Sequence, residues 1–217
     1  MRVIPIQYLH SFPFIAIIRG IKPADAHANC ALLYDTGFRV IEVTLNSPEP
    51  YESIESMAAV FGDRALIGAG TVVAVEQVER VRDAGGRLVI SPHCDPEIIE
   101  MTKQCGLISI PGVATPTEVF TAIKAGADAL KLFPAELIGL AGLNAMKAVI
   151  PQGTLLIPVG GIDENNYLPY LLAGAVACGL GSSLYKAGIS DDTLRQRAEI
   201  FQQRWQVDKT ALPAVIC

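Results

Sequence analysis

The sequence predicts an α/β chain folded as one (β/α)8 barrel with a short N-terminal helix. Three observations carry this. Eight short apolar runs alternate with helix-like stretches, one unit about every 20–26 residues. The runs are nearly unbroken in apolar residues, as parallel strands buried on both faces are. Polar residues gather at the ends of the runs and are almost absent from their starts, the asymmetry of a barrel with its site on one face.

The elements follow in order. A short helix is expected at 4–11. The predicted strands are 14–19 (FIAIIR), 40–46 (VIEVTLN), 66–72 (LIGAGTV), 88–92 (LVISP), 108–113 (ISIPGV), 129–134 (ALKLFP), 155–161 (LLIPVGG) and 177–182 (ACGLGS). Amphipathic segments such as 75–84 and 116–125 lie between them and read as helices. Several close on glycine, at 36–38, 84–86, 105–107, 125–127 and 173–175, where a left-handed cap turns the chain into the next strand. A doubly wound open sheet would need a Gly-rich phosphate loop after the first strand, and RGIKPAD at 19–25 is not one. The 217 residues are expected to form a single domain, 1–217, with its core at about 14–205. The tail 206–217 matches no strand–helix unit and is expected to be loose.

Bulk properties exclude several function classes. A net charge of −5 and a pI near 5.2, without a Lys/Arg cluster, argue against nucleic acid as a partner. The mean hydropathy of +0.37 is high, yet no apolar run reaches the ~18–20 residues that cross a bilayer. The first 20 residues are apolar but interrupted by Gln7, His10 and two prolines, so neither a membrane span nor a signal peptide is expected. The five cysteines are odd in number and show no CxxC spacing, which fits reduced thiols in a cytoplasmic protein. His10, His27 and His93 are far apart, no H-x-H or H-E-x-x-H occurs, and no metal or other cofactor is expected.

In a barrel the site lies at the C-terminal ends of the strands. Those ends carry Arg19; Glu42 with Thr44 and Asn46; Thr71; Pro92 with His93; Pro111; Lys131 with Phe133; Gly160 with Gly161; and Gly181 with Ser182. Alternation along 40–46 puts Ile41, Val43 and Leu45 toward the helices and Glu42, Thr44 and Asn46 into the barrel. An inward carboxylate is either catalytic or part of a buried ion pair. Lys131, between Leu130 and Leu132, is either a desolvated amine suited to imine chemistry or a lysine snorkelling from a strand edge. The glycines after the seventh and eighth strands are either turn residues or backbone N–H donors to a phosphate. GLGSS at 179–183 also begins like a dinucleotide fingerprint, but it ends the eighth strand and no following strand carries the acidic residue expected about 20 positions on.

These motifs together resemble one family. EVTLNSP at 42–48, GAGTV at 68–72, ISP at 90–92, PGVATPTE at 111–118, LKLFPAE at 130–136, PVGGI at 158–162 and GLGSSLY at 179–185 are similar to the bacterial 2-dehydro-3-deoxy-phosphogluconate/phosphogalactonate aldolases, in family order over roughly 14–200. The resemblance implies a metal-free class I aldolase, a cytoplasmic homotrimer acting on a phosphorylated keto-deoxy sugar acid and pyruvate. It implies Lys131 as the Schiff-base lysine and Glu42 as general acid/base. Arg19, Thr71, Pro92 and Phe133 would line the pyruvate end, and Gly160, Gly161 and Ser182 would hold the phosphate. Asn46 stands where gluconate-type enzymes carry Arg. It would touch the substrate, and with IIRGI at 17–21 it points to the galactonate branch, whereas Thr44 and FPAE fit the gluconate branch. A phosphosugar isomerase or epimerase, or a barrel that only binds phosphorylated metabolites, stays open on the residues alone.

Overall fold

A computed structural model describes residues 6–211. Helix α1 (Ile6–Ser11) leads into strand β1 (Phe14–Ile17). Strands β2 (Val40–Thr44), β3 (Leu66–Gly70), β4 (Leu88–Ile90) and β5 (Ile108–Ile110) follow, each after a helix: α2 (Pro23–Asp35), α3 (Pro50–Phe61), α4 (Val75–Asp83) and α5 (Pro96–Gln104). Then come β6 (Gly112–Val113), α6 (Pro116–Lys124), β7 (Leu130–Leu132), α7 (Ala135–Lys147), β8 (Leu156–Pro158), α8 (Tyr167–Leu172), β9 (Cys178–Leu180) and α9 (Asp191–Asp208). The expected alternation of strand and helix is present, and each predicted strand window contains an observed strand.

Every pairing among the described strands is parallel. The strands form two ladders, one of six in the order β5-β4-β3-β2-β1-β9 and one of three, β6-β7-β8. The expected continuous eight-stranded ladder is therefore not present as such. The predicted strand 108–113 is divided at Pro111, which has no N–H to donate. Its carbonyl still accepts from Lys131 N at 2.9 Å. At the opposite junction the contact thins to a single parallel bridge, Val159 to Gly179.

Strand alternation sorts the apolar side chains into two layers. An inner cluster holds Ile15 and Ile17 of β1, Val40, Leu66, Leu88, Ile90, Ile110 and Ile157, and Leu9 of α1 joins it. A larger outer cluster packs Ala16, Ile41, Val43, Ile67, Leu130 and Leu132 against the helices. The alternation expected for 40–46 holds as far as the strand lasts.

Local sequence sets the helix ends. Thr115 and Glu118 close a capping box on α6, and Asp95 accepts from Glu97 N at 2.9 Å at the start of α5. The glycines that close α2 and α6, Gly37 and Gly126, have φ of 108° and 96°, a region that strains other residues.

The tail needs correction. Residues 206–208 form the last turn of α9, and Lys209–Ala211 add a 3-10 turn. Tyr167 OH donates to Asp208 Oδ2 at 2.5 Å, and Trp205 Nε1 donates to the Ser11 carbonyl at 2.8 Å. The rest of the predicted tail, and the first residues of the predicted N-terminal helix, lie outside the described residues.

Candidate active site

Lys131 and Glu42 line one small cavity. Lys131 is the middle residue of β7, with Leu130 and Leu132 turned to the outer core. Glu42 is the middle residue of β2, with Ile41 and Val43 turned the same way. The cavity is otherwise apolar, walled by Ile15, Ile17, Ile90, Ile110, Ile157, Val159 and Gly179. Its free volume is about 10 Å³, at the threshold for holding one water molecule.

Burial dominates the electrostatics. Glu42 is only 1% exposed, and among the described residues its Oε2 has no hydrogen-bond partner. Loss of solvent pushes its carboxyl up to about 7, against the opposing pull of the Lys131 and Arg19 charges. Lys131 is 6% exposed. Burial pushes its ammonium below the ordinary lysine range; Glu42 opposes the shift and Arg19 reinforces it. The two do not form a direct ion pair. Lys131 as a whole is too buried for a side chain snorkelling freely into solvent, and its Nζ lies 4.6 Å from the centre of the Phe133 ring. Among the described residues Glu42 also makes no tight ion pair of the kind its structural reading requires.

The other predicted residues surround this pair to different degrees. Arg19 is exposed in the turn after β1, yet its charge reaches both Glu42 and Lys131. Thr71 follows β3 directly with φ of 58°, a left-handed conformation that is costly for a β-branched residue. Pro92 follows β4 and is half-buried. Phe133 precedes a cis peptide bond to Pro134. Gly160 and Gly161 follow the cavity residue Val159, with φ of 105° and 68°. Ser182 is exposed in the turn after β9, and its carbonyl accepts from Arg197 at 3.2 Å. Ser183 Oγ donates to the Ile162 carbonyl at 2.8 Å, which ties the two glycine-bearing loops together.

Asn46 departs from the sequence reading. β2 ends at Thr44, and Ser47 N donates to the Thr44 carbonyl at 2.9 Å, so 45–46 turn the chain. Asn46 is exposed in that turn. Strand alternation therefore does not place it on the inward face. What bends the chain there is the following Ser-Pro, which the apolar pattern of VIEVTLN does not encode.

Sequence reasoning passed over Ser47 and Gly70. Ser47 is buried, its Oγ accepts from Gly20 N at 2.8 Å, and it shares a hydrogen bond with Thr44 Oγ1 at 3.2 Å. A small hydroxyl residue before Pro48 was the available signal. Gly70 is paired with Thr44 across the ladder. Its signal was the period-two placement of glycine in LIGAG.

A buried amine of lowered basicity beside a buried carboxyl titrating near neutrality, inside parallel strand ends, defines an enzyme that can form an imine with a carbonyl substrate. The comparisons with known proteins give the family. The model of the KDPG and KHG aldolases matches residues 6–200, and the chain belongs to that family. It is 47% identical over 186 residues to the probable 2-dehydro-3-deoxy-6-phosphogalactonate aldolase of Rhizobium meliloti (strain 1021), covering 86% of this chain and 88% of that one. It is 40% identical over 200 residues to the 2-dehydro-3-deoxy-6-phosphogalactonate aldolase of Escherichia coli (strain K12), covering 92% and 98%. Among solved structures, one described as native KDPGal superposes with a TM-score of 0.89 at 40% identity, over 92% of this chain and 97% of that one. A KDPG aldolase from Legionella pneumophila, with pyruvate captured as a covalent carbinolamine, superposes with a TM-score of 0.80 at 30% identity over 95% and 98%.

Proposed function

We propose that this chain is a class I aldolase that cleaves 2-dehydro-3-deoxy-6-phosphogalactonate to pyruvate and glyceraldehyde 3-phosphate through an imine on Lys131. The observation that carries this is the placing of Lys131 and Glu42 on one small, largely apolar cavity, each shifted by burial toward its neutral form. The two relatives named for the galactonate substrate support the choice of epimer.

The residues divide the work as follows. The free amine of Lys131 attacks the C2 carbonyl. Glu42 moves the protons that let hydroxide leave the carbinolamine as water, giving an iminium. The Glu42 carboxylate then takes the proton of the C4 hydroxyl. The C3–C4 bond breaks, its electron pair enters the iminium to form an enamine, and the aldehyde leaves. The Glu42 carboxyl returns its proton to C3, and water hydrolyses the imine to pyruvate and free Lys131. An acid/base titrating near 7 is well matched to taking and returning one proton at neutral pH. Arg19 and Thr71 bind the substrate carboxylate, for which an Arg fork is suited. Pro92 and Phe133 wall the pyruvate end. Gly160, Gly161 and Ser182 receive the phosphate.

The finer fold reading is a single-domain, closed (β/α)8 barrel over 1–217, with β5 and β6 as one strand. Its support is that cavity residues come from both ladders and that the Val159–Gly179 bridge joins them. The assembly we propose is a cytoplasmic homotrimer. Among the described residues no helix is long and apolar enough to cross a membrane. Exposed Leu137 and Val149 offer apolar surface for a subunit contact.

Incubation with pyruvate and borohydride, then peptide mass mapping, tests the chemistry. A stable adduct on Lys131 is expected. No adduct, or one on another lysine, sinks the imine mechanism and returns the isomerase or epimerase reading.

A further inference from the structure

The inward face of β3 is bare beside Glu42. In Leu66–Gly70, Ile67 and Ala69 belong to the outer core and Leu66 to the inner cluster. The remaining inward positions are glycines: Gly68 pairs with Glu42, and Gly70 with Thr44. The two glycines differ in what a side chain would meet. A Cβ on Gly68 would collide with the backbone and side chain of Leu88, so Gly68 serves strand packing. A Cβ on Gly70 would lie 2.5 Å from Glu42 Cδ, 2.5 Å from Oε2 and 2.6 Å from Oε1. All three carboxyl atoms thus lie at nearly one distance from that point. The Glu42 carboxyl fills the space that a side chain at position 70 would take.

Among the described residues, few polar contacts hold that carboxyl. Its Oε2 has no hydrogen-bond partner, and Lys131 makes no direct ion pair with it. A group held by few polar contacts is placed by the walls around it. Backbone conformation does not demand glycine here, since Gly70 is not among the positive-φ glycines. The requirement comes from the neighbour across the ladder.

We propose that Gly70 is a positioning residue whose missing side chain forms the seat of the Glu42 carboxyl and so sets its place relative to Lys131. This rests on Glu42 acting as the acid/base of the aldolase reaction. An added methyl forces the carboxyl out of the seat. A displacement of about 1 Å at a reacting group costs on the order of 10²-fold in turnover.

The test is a double-mutant cycle on the full chain: wild type, Gly70→Ala, Glu42→Asp and the double variant, each assayed for kcat, KM and pyruvate–borohydride trapping. Gly70→Ala is expected to lower kcat by about 10- to 100-fold with a smaller change in KM. The aspartate carboxyl is one methylene shorter and withdraws from the added methyl. In the Gly70→Ala background, Glu42→Asp should therefore cost at least threefold less than in wild type. Losses that simply multiply, or a Gly70→Ala enzyme with normal kcat, overturn the proposal. If Gly70→Ala does not fold, the double variant decides. Recovery of a folded chain by Glu42→Asp supports the seat, and two unfolded variants overturn it. Failure of the aldolase reading itself looks different, since wild type would then neither trap pyruvate nor cleave substrate.

Discussion

The Gly20 N–H donates to Ser47 Oγ at 2.8 Å, joining the turn after β1 to the turn after β2. Arg19 sits immediately before Gly20, and Thr44 Oγ1 shares the same serine hydroxyl at 3.2 Å. One buried hydroxyl thereby links the Arg19 turn to the strand that carries Glu42. Gly20 is pinned from the other side as well, since a Cβ there would lie 2.9 Å from Ala187 Cβ. Ser47→Ala should loosen the Arg19 turn. The expected result is a KM increase of about 3- to 10-fold with a smaller kcat change, and a stability loss of about 1–3 kcal/mol from the unpaired N–H. Steady-state kinetics and denaturant melts measure both, and an unchanged KM would show that Arg19 does not depend on this link.

Glu42→Gln should lower kcat by about 10²–10⁴-fold, the range of a lost general acid/base. It should also change stability with a definite sign. The Glu42 carboxyl is raised from an ordinary 4.5 to about 7 in the folded chain. Its raised value favours folding fully below about 4.5, and that contribution is lost as pH climbs through about 7. The glutamine variant has no such loss. The melting temperature of Glu42→Gln minus that of wild type should rise steadily from pH 5 to pH 8. A flat or falling difference contradicts the raised carboxyl.

The barrel-like order of elements was legible because strands buried on both faces leave unbroken apolar runs. The candidate pair was legible for the complementary reason. Glu42 and Lys131 are charges inside such runs, and alternation alone turned them away from Ile41, Val43, Leu130 and Leu132. Three things were not. The ladder break at Pro111 depends on one missing donor and not on hydrophobicity. The strand end at Thr44 is imposed by the turn before Pro48, so Asn46 was carried two residues too far. The last helix continues to Asp208 because Tyr167 and Trp205 tie it down through contacts with residues distant in sequence.

Removing the substrate phosphate should reduce kcat/KM by about 10²-fold or more, since several charge-assisted hydrogen bonds would be lost together. Ser182→Ala should cost far less, about 3- to 10-fold, because backbone N–H groups of the Gly160–Gly161 loop do not depend on that side chain. Assays with the phosphorylated and dephosphorylated sugar acid separate the two effects. Equal use of both substrates would remove the phosphate site from the loops after β8 and β9.

The final prediction concerns the epimer. Asn46 is exposed in the turn that closes β2, two residues past Thr44 and four past Glu42. In the proposed mechanism Glu42 handles the C4 hydroxyl, the group whose configuration distinguishes galactonate from gluconate substrates. We expect the turn that closes β2, just past Glu42 in the chain, to reach this point of difference. Asparagine brings a short neutral side chain that both donates and accepts. Arginine brings a long cation that only donates. A site that hydrogen-bonds a hydroxyl discriminates strongly when the hydroxyl is misplaced, because polar groups are then left unpaired. Wild type should prefer 2-dehydro-3-deoxy-6-phosphogalactonate, with measurable activity on the gluconate epimer. Asn46→Arg should move the ratio of kcat/KM values toward gluconate by about tenfold, equivalent to one misplaced hydrogen bond of about 1.4 kcal/mol. The exposed setting of Asn46 favours a variant that folds normally, so a changed ratio would report recognition and not stability. Competition between the two epimers in one vessel gives that ratio directly. A wild-type preference for gluconate would reverse the choice of epimer while leaving the lysine chemistry intact, and an unchanged ratio in Asn46→Arg would move the source of discrimination elsewhere in the mouth.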